Sequence, residues 1–377
     1  MSFFTDLGAE KKKLAKRRFL YLLLIPAAFL LKWLMSLSPD FTEKYYSRKI
    51  YPFIMQPISR FTGIFPFSVA EISVIILVIY FIGQLVSSVR KSISHKKWFF
   101  FIDFLSKASI VVSILFFLQT IMWGINYERI TFADNAGIVV EKYSVDELEE
   151  LCTELIMNAN ALREKVREDN NGIMRVDGGF RSLAKRAHLG YEAAQKKYPF
   201  LSGIYGRPKP VILSKLMSYS NIIGMYTGIT GEANIDTDIP DMELPSTIMH
   251  ELAHQRGFAH EDEANFIAYI TCMSHPDIDF QYSGAVLALE YSMNALYRID
   301  SERYFRLMEN YSPGLMDDLR NQQKYWSQYQ GIMKKVANTI NDTYLKISGE
   351  KDGVQSYGRM VDLLLAEFKI NQSINQP

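Results

Sequence analysis

The sequence is short of cysteine, of histidine and of net charge. Its 377 residues hold two cysteines, Cys152 and Cys272, far apart and in no CxxC pair. That excludes a thiolate metal site and a disulfide framework, and leaves at most one bridge between them. A formal charge of +1 offers no broad basic surface, so no nucleic-acid partner is expected. Internal repeats and low-complexity segments are also missing. Of the six histidines, three fall inside the eleven residues His250 to His260.

What the chain has in abundance is apolar sequence, concentrated in the first third. Phe19 to Leu37 is nearly all apolar, broken by Lys32. Phe67 to Val89 follows, with Glu71 near its start, and then Phe104 to Ile125, with Asp103 and Lys107 at its leading edge. Each run is long enough to cross a ~30 Å hydrocarbon core as a helix. The first is too long for a cleaved signal peptide and no small-residue cleavage site follows it. Asp103 and Lys107 sit one helical turn apart and pair near an interface, and Lys32 can snorkel.

Lysine and arginine set the orientation. Lys11, Lys12, Lys13, Lys16, Arg17 and Arg18 precede the first run, and Arg90, Lys91, Lys96 and Lys97 lie between the second and third. The loop between the first and second runs dilutes its positive charge with Asp40 and Glu43. The positive-inside rule puts the tail, residues 1–18, in the cytoplasm. Residues 19–125 then form a three-span membrane region (19–37, 67–89 and 104–125). Residues 126–377 form an extracytoplasmic domain, and the lipid bilayer is the first expected partner.

That domain reads as α+β, mostly helical with one small sheet. Ser144-Val-Asp-Glu147 is a capping box opening a helix to about Arg167. Helix is expected over Gly179 to Tyr198, strand within Pro210 to Ile235, and a helix from Pro245 to the breaker Gly257. Further helices are expected from His260 to Met273, Tyr282 to Ile299, Glu302 to Asn310 and Leu315 to Ile340.

The segment His250-Glu-Leu-Ala-His254 is the chemical core. A helix places His250 and His254 on one face, where two neutral imidazoles supply half of a tetrahedral zinc (Zn2+) shell. Glu251 stands beside the metal and is positioned as the general base that takes a proton from water. Paired histidines in a helix this apolar need a reason to be there.

Three residues compete for the third ligand. His260 completes the spacing HExxHxxGxxH, which resembles a metzincin, with Gly257 at its chain turn; Met273, the nearest methionine for that family's turn, lies in a continuing helix. Glu261 shares a small-residue face with Ala264, Asn265, Ala268 and Cys272, a face able to pack on the first helix and aim its carboxylate at the metal. Glu263 shares its face with Phe266, Ile267 and Ile270 and points elsewhere. Glu261 is the preferred ligand, and Asn265, one turn on, is placed to hold a ligating histidine.

The run Glu261-Asp-Glu-Ala-Asn265 after HExxH resembles the gluzincin pattern. With Tyr226-Thr-Gly-Ile-Thr-Gly-Glu-Ala-Asn234 upstream, Tyr344-Leu-Lys and Ser356-Tyr-Gly downstream, and three spans before them, the chain is similar to an uncharacterised bacterial membrane family, domain of unknown function 3810. The resemblance covers nearly the whole chain. It implies a zincin-like domain, a zinc peptidase activity and the plasma membrane of a bacterial cell, but no substrate. The short gap between His254 and Glu261 departs from ordinary gluzincins and forces a tight turn at Gly257. By the same resemblance Met225 to Ile235 borders the cleft, where an edge strand pairs with a peptide and Gly228 and Gly231 either permit close approach or simply turn the chain. Tyr357 and Arg359 are candidates for an oxyanion donor, against an ordinary surface or core role for each.

The expected function is thus a membrane-anchored zinc hydrolase acting on an extracytoplasmic protein or peptide. The alternative is a zinc-bound sensor or scaffold without turnover; three spans with few intramembrane charges argue against a transporter.

Overall fold

The computed structural model describes residues 13–14, 16–331, 339, 342–343 and 359–375. Three helices are long and apolar enough to cross a membrane: α1 (Lys16–Ser36), α3 (Val69–Ser94) and α4 (Phe99–Met122), with α2 (Tyr51–Thr62) between the first two. The third begins and ends earlier than the apolar run suggests, because the chain at Trp123 leaves the helix with ψ −55° and φ −145° and tightens into a 3₁₀ turn, Gly124–Glu128. Asp103 pairs with both Lys107 and Arg18, at 2.8 and 2.7 Å. Lys32 reaches Glu128 at 3.5 Å, just beyond the end of α4.

The connector between α1 and α3 is not a plain loop. A π-helical stretch, Thr42–Ile50, runs into α2, and this arm packs onto the globular part. Tyr46, Tyr51, Met55, Trp123, Ile125, Tyr127, Tyr226 and Ala259 bury together as one small apolar cluster. Beneath it, Glu43 forms an ion pair with Arg129 at 2.8 Å, and Arg129 donates to the carbonyl of Gly257 at 2.9 Å.

The globular part opens with α5 (Val145–Arg163), started by the expected capping box, both of whose hydrogen bonds form. The helix expected over 179–198 breaks at Ala187 into α6 (Gly179–Arg186) and α7 (His188–Ala194). The expected strand is shorter and folded: β1 (Lys209–Pro210), a small helix α8 (Ser214–Tyr219), then the hairpin β2 (Gly224–Thr227) and β3 (Glu232–Ile235). Strand order is β1-β3-β2, parallel then antiparallel, with Met225 opposite Asn234 and an exposed edge at β2. Gly228 and Gly231 lie at the hairpin turn and also permit close packing within the protein: a Cβ on Gly228 would stand 2.6 Å from Trp123 Cβ, and Gly231, at φ +65°, lies against Ser59 and Met55.

Then come α9 (Leu244–Gln255), α10 (Glu261–Met273), α11 (Ile278–Ile299), α12 (Ser301–Met308), α13 (Pro313–Ser327) and α14 (Arg359–Asn375). The helix expected from Leu315 to Ile340 ends at Ser327, followed by a turn to Gly331, and Tyr344, Ser356 and Tyr357 lie outside the described residues. The main core is formed where α5, α9, α10, α11 and α14 meet, around the fully buried Leu148, Phe266, Ile267, Phe280 and Tyr282. Truncating such a side chain to alanine costs about 3–5 kcal/mol for an aromatic. Cys152 and Cys272 are both free thiols buried in this core, so no bridge joins them.

Candidate metal centre

Helix α9 starts with Pro245 in its first turn, where a missing N–H costs nothing, and ends two residues before Gly257. Gly257 takes φ +86°, a left-handed conformation that side chains resist, and this lets the chain reverse within five residues into α10. Small residues on α10 (Ala264 and Ala268, fully buried) allow the two helices to approach closely. The reversal puts Glu261 at the start of α10, directly over the histidine face of α9.

The resulting cluster is compact. Ligand atoms of His250, His254 and Glu261 all lie within 4.8 Å of one another. His250 Nε2 is 3.2 Å from Glu261 Oε2, and His254 Nε2 is 3.5 Å from Glu261 Oε1. The two rings stand 4.6 Å apart and nearly perpendicular, at 88°. Their other nitrogens are occupied by acceptors. His250 Nδ1 donates to Asn265 Oδ1 at 2.8 Å, and His254 Nδ1 to the carbonyl of Phe258 at 2.7 Å. A carbonyl oxygen can only accept, so each Nδ1 carries a proton and Nε2 is the nitrogen facing Glu261, donating to its carboxylate when the ring is charged and able to offer a lone pair to a metal when the ring is neutral. Asn265 is held in turn by donating to Tyr291 Oη at 3.1 Å.

Electrostatics mark the spot as one built for positive charge. Burial opposes ionisation of Glu261, but hydrogen bonds from the two histidines hold its carboxyl far below the usual range. Burial also disfavours a charged His254; Glu261, Glu251 and the Phe258 carbonyl outweigh it and push the imidazole up to about 9. Glu251 is buried, and burial raises its pKa against the pull of both histidines. Its Oε2 has no hydrogen-bond partner, an expense for a buried carboxylate that a ligand or water in the cavity would relieve. Two imidazole nitrogens and a carboxylate fit zinc in donor type and number, and leave a fourth position open.

The other candidates stand apart from this cluster. His260 caps α10, and its Nε2 is 3.1 Å from the carbonyl of Tyr127. Glu263 turns away and receives the backbone N–H of Phe132 at 2.5 Å, as its apolar helix face implied. Arg359 pairs with Asp262 at 2.9 Å, bracing α10 from α14 rather than facing the cavity.

The cluster opens into a cavity of about 1010 Å³. It is lined by edge strand β2, by Glu243, Glu290 and Tyr291, and by Gln119 and Trp123 from the end of α4. Trp123 stacks edge-on against His254 at 5.5 Å and against Tyr226 at 4.8 Å. Tyr51, from the connector, donates to the carbonyl of Gln255 at 3.1 Å and shares a hydrogen bond with Tyr226 at 2.9 Å. The strand from Met225 was expected to border the cleft; Tyr51, Trp123, Glu243 and Glu290 did not follow from the sequence. The one local signal was Gln119, a polar residue breaking an apolar run a turn before its end.

The family model described as a protein of unknown function, DUF3810, matches residues 46–365. The chain belongs to the DUF3810 family. Residue 46 falls in the connector arm, so the DUF3810 match spans that arm, α3, α4 and the His250–His254–Glu261 cluster. No curated protein and no solved structure matches this DUF3810 chain.

Proposed function

We infer that this protein is a membrane-anchored, zinc-dependent hydrolase of the gluzincin-like kind, and that it cleaves a protein or peptide on the extracytoplasmic side. The observation that carries the reading is Glu251, buried and with one unpartnered oxygen, beside three converging ligand groups at the floor of a cavity edged by an open strand.

His250, His254 and Glu261 would hold the ion. When bound, a zinc ion supplies Lewis acidity, acidifying a water and polarising a carbonyl. The rest of the work falls to the chain. Asn265 and the Phe258 carbonyl fix the two ring orientations. Strand β2 offers unpaired backbone groups along which an extended peptide can lie. Glu251 takes a proton from the attacking water as its oxygen bonds to the scissile carbonyl carbon. That proton passes to the departing amine as the C–N bond breaks. A site that only binds metal has no need of a buried base at position 251, which favours turnover over a sensor or scaffold.

The test is Glu251→Gln in the full-length protein. The variant should keep its zinc and lose hydrolysis by a factor of about 10²–10⁴. Unchanged cellular phenotype with metal retained would favour the scaffold.

A further inference from the structure

The surface beside the metal cavity is apolar where a water-facing domain is normally polar. From the end of β1 into β2 the chain carries Ile212, Leu213, Leu216, Tyr219, Ile223 and Met225, and all six side chains are exposed, Ile212 at 65% and Leu216 at 51%. Helix α8 is turned inside out: Ser214 and Ser218 are buried, while Leu216 and Tyr219 face outward. The serines are fastened there, Ser218 Oγ donating to Asp236 at 2.6 Å and Ser214 Oγ to the carbonyl of Val211 at 2.7 Å. A contiguous exposed apolar patch marks contact with lipid or with another chain.

Its location identifies the occupant as lipid. The backbone N–H groups of Ile212 and Leu213 both donate to the carboxylate of Glu71 at 2.8 Å. Glu71 lies in the first turn of α3, an apolar helix of 26 residues. A second tie holds the same end: Glu232 of β3 receives the N–H groups of Val69 at 3.0 Å and Ala70 at 2.7 Å. The segment is therefore fixed at the level where α3 would enter the bilayer, and α3 itself exposes Val74 and Ile76 further along. Ile223 and Met225 of the same stretch line the candidate metal cavity together with Gln119 and Trp123 from the end of α4.

We propose that residues 211–225 rest in the interfacial layer of the membrane. The metal cavity then opens at the bilayer surface and takes polypeptide segments that lie on or emerge from that membrane. The substrate half of this proposal rests on the peptidase reading above; the seating of the segment does not. An apolar surface immersed in the headgroup region gains by burial and needs no conformational change, since α8 already presents its apolar side.

The experiment uses the full-length protein in phosphatidylcholine–phosphatidylglycerol vesicles. The native cysteines are buried, so a fluorophore can be placed selectively on Leu216→Cys, on Ile212→Cys, or on Phe305→Cys. Phe305, at 59% exposure, is a comparably bare apolar residue on α12. Lipids spin-labelled near the headgroup should quench the fluorophore several-fold more at 212 and 216 than at 305. Equal quenching at all three overturns the seating. In parallel, a pool of randomised ten-residue peptides is supplied free or joined by a short linker to a lipid anchor, with Glu251→Gln as the control. The anchored pool should be cut about tenfold or more faster, from its higher effective concentration at the mouth. Equal rates for free and anchored pools overturn the substrate half alone. No cutting of either pool, with residue 216 quenched, overturns the peptidase reading and its substrate while leaving the seating in place.

Discussion

Gly224 and Glu251 face each other so closely that a Cβ on residue 224 would stand 2.4 Å from Glu251 Oε1. The hydrogen in place of a side chain at 224 is what lets the strand lie over the carboxylate. Gly224→Ala should push the Glu251 side chain aside without touching the ligands. Because small misplacements of a reacting group are costly, hydrolysis should fall by about 10²-fold while zinc stoichiometry stays constant. Paired kinetics and metal analysis check this.

Asn265 touches His250 and not the metal position itself. Asn265→Ala should weaken zinc affinity by about 10–100-fold, the usual effect of removing a group that orients a ligating histidine. Asn265→Asp, which keeps an oxygen facing Nδ1, should retain most of the affinity. Competition with a chromogenic chelator measures both.

Two carboxyls that line the cavity, Glu243 and Glu290, have raised pKa values. Burial raises Glu243 and Glu290 from about 4.5 to about 7, against hydrogen bonds from Gln322 to both and from Trp326 to Glu243. A carboxyl whose folded pKa lies above its unfolded one binds its proton more tightly when folded. Its contribution to stability is complete below about pH 4.5 and is lost as pH rises through about 7. Glu243→Gln combined with Glu290→Gln should therefore raise Tm relative to wild type at pH 8 and change it little at pH 5. Thermal melts of both proteins at the two pH values decide this; a gain confined to pH 5 would refute it.

Far from the site, Arg163 and Asp318 form an ion pair of 2.6 Å with both side chains buried. Tyr282 Oη and the N–H of Met174 also donate to Asp318, at 2.7 and 2.8 Å. Asp318→Ala leaves a buried guanidinium and two donors without their acceptor, and should cost about 3–5 kcal/mol. A denaturation midpoint shift with the metal still bound would distinguish this from damage to the site.

The parts of this architecture legible in the sequence are those with local causes. The capping box at Ser144, the first turn holding Pro245, the reversal at Gly257 and the apolar spans all depend on neighbours within a few residues. That Glu261 and not Glu263 faces the two histidines was legible too, because helical periodicity separates their faces. What was hidden depends on contacts between distant segments. Trp123 reads as the tail of a span, yet it stacks on His254, 131 positions on. Tyr51 reads as loop, yet it braces the carbonyl end of α9. The break at Ala187 and the small helix α8 override what the local pattern suggests, because burial against α10 and against the sheet decides them. The outward side chains of α8 would have seemed an error in a soluble domain; beside the start of α3 they have a physical reason.

The most direct test is zinc analysis of the purified full-length protein and its single variants. Wild type should carry one zinc per chain. His254→Ala and Glu261→Ala should carry almost none, and His260→Ala and Glu263→Ala should carry as much as wild type. Zinc retained in Glu261→Ala but lost in His260→Ala would contradict the arrangement of ligands described here.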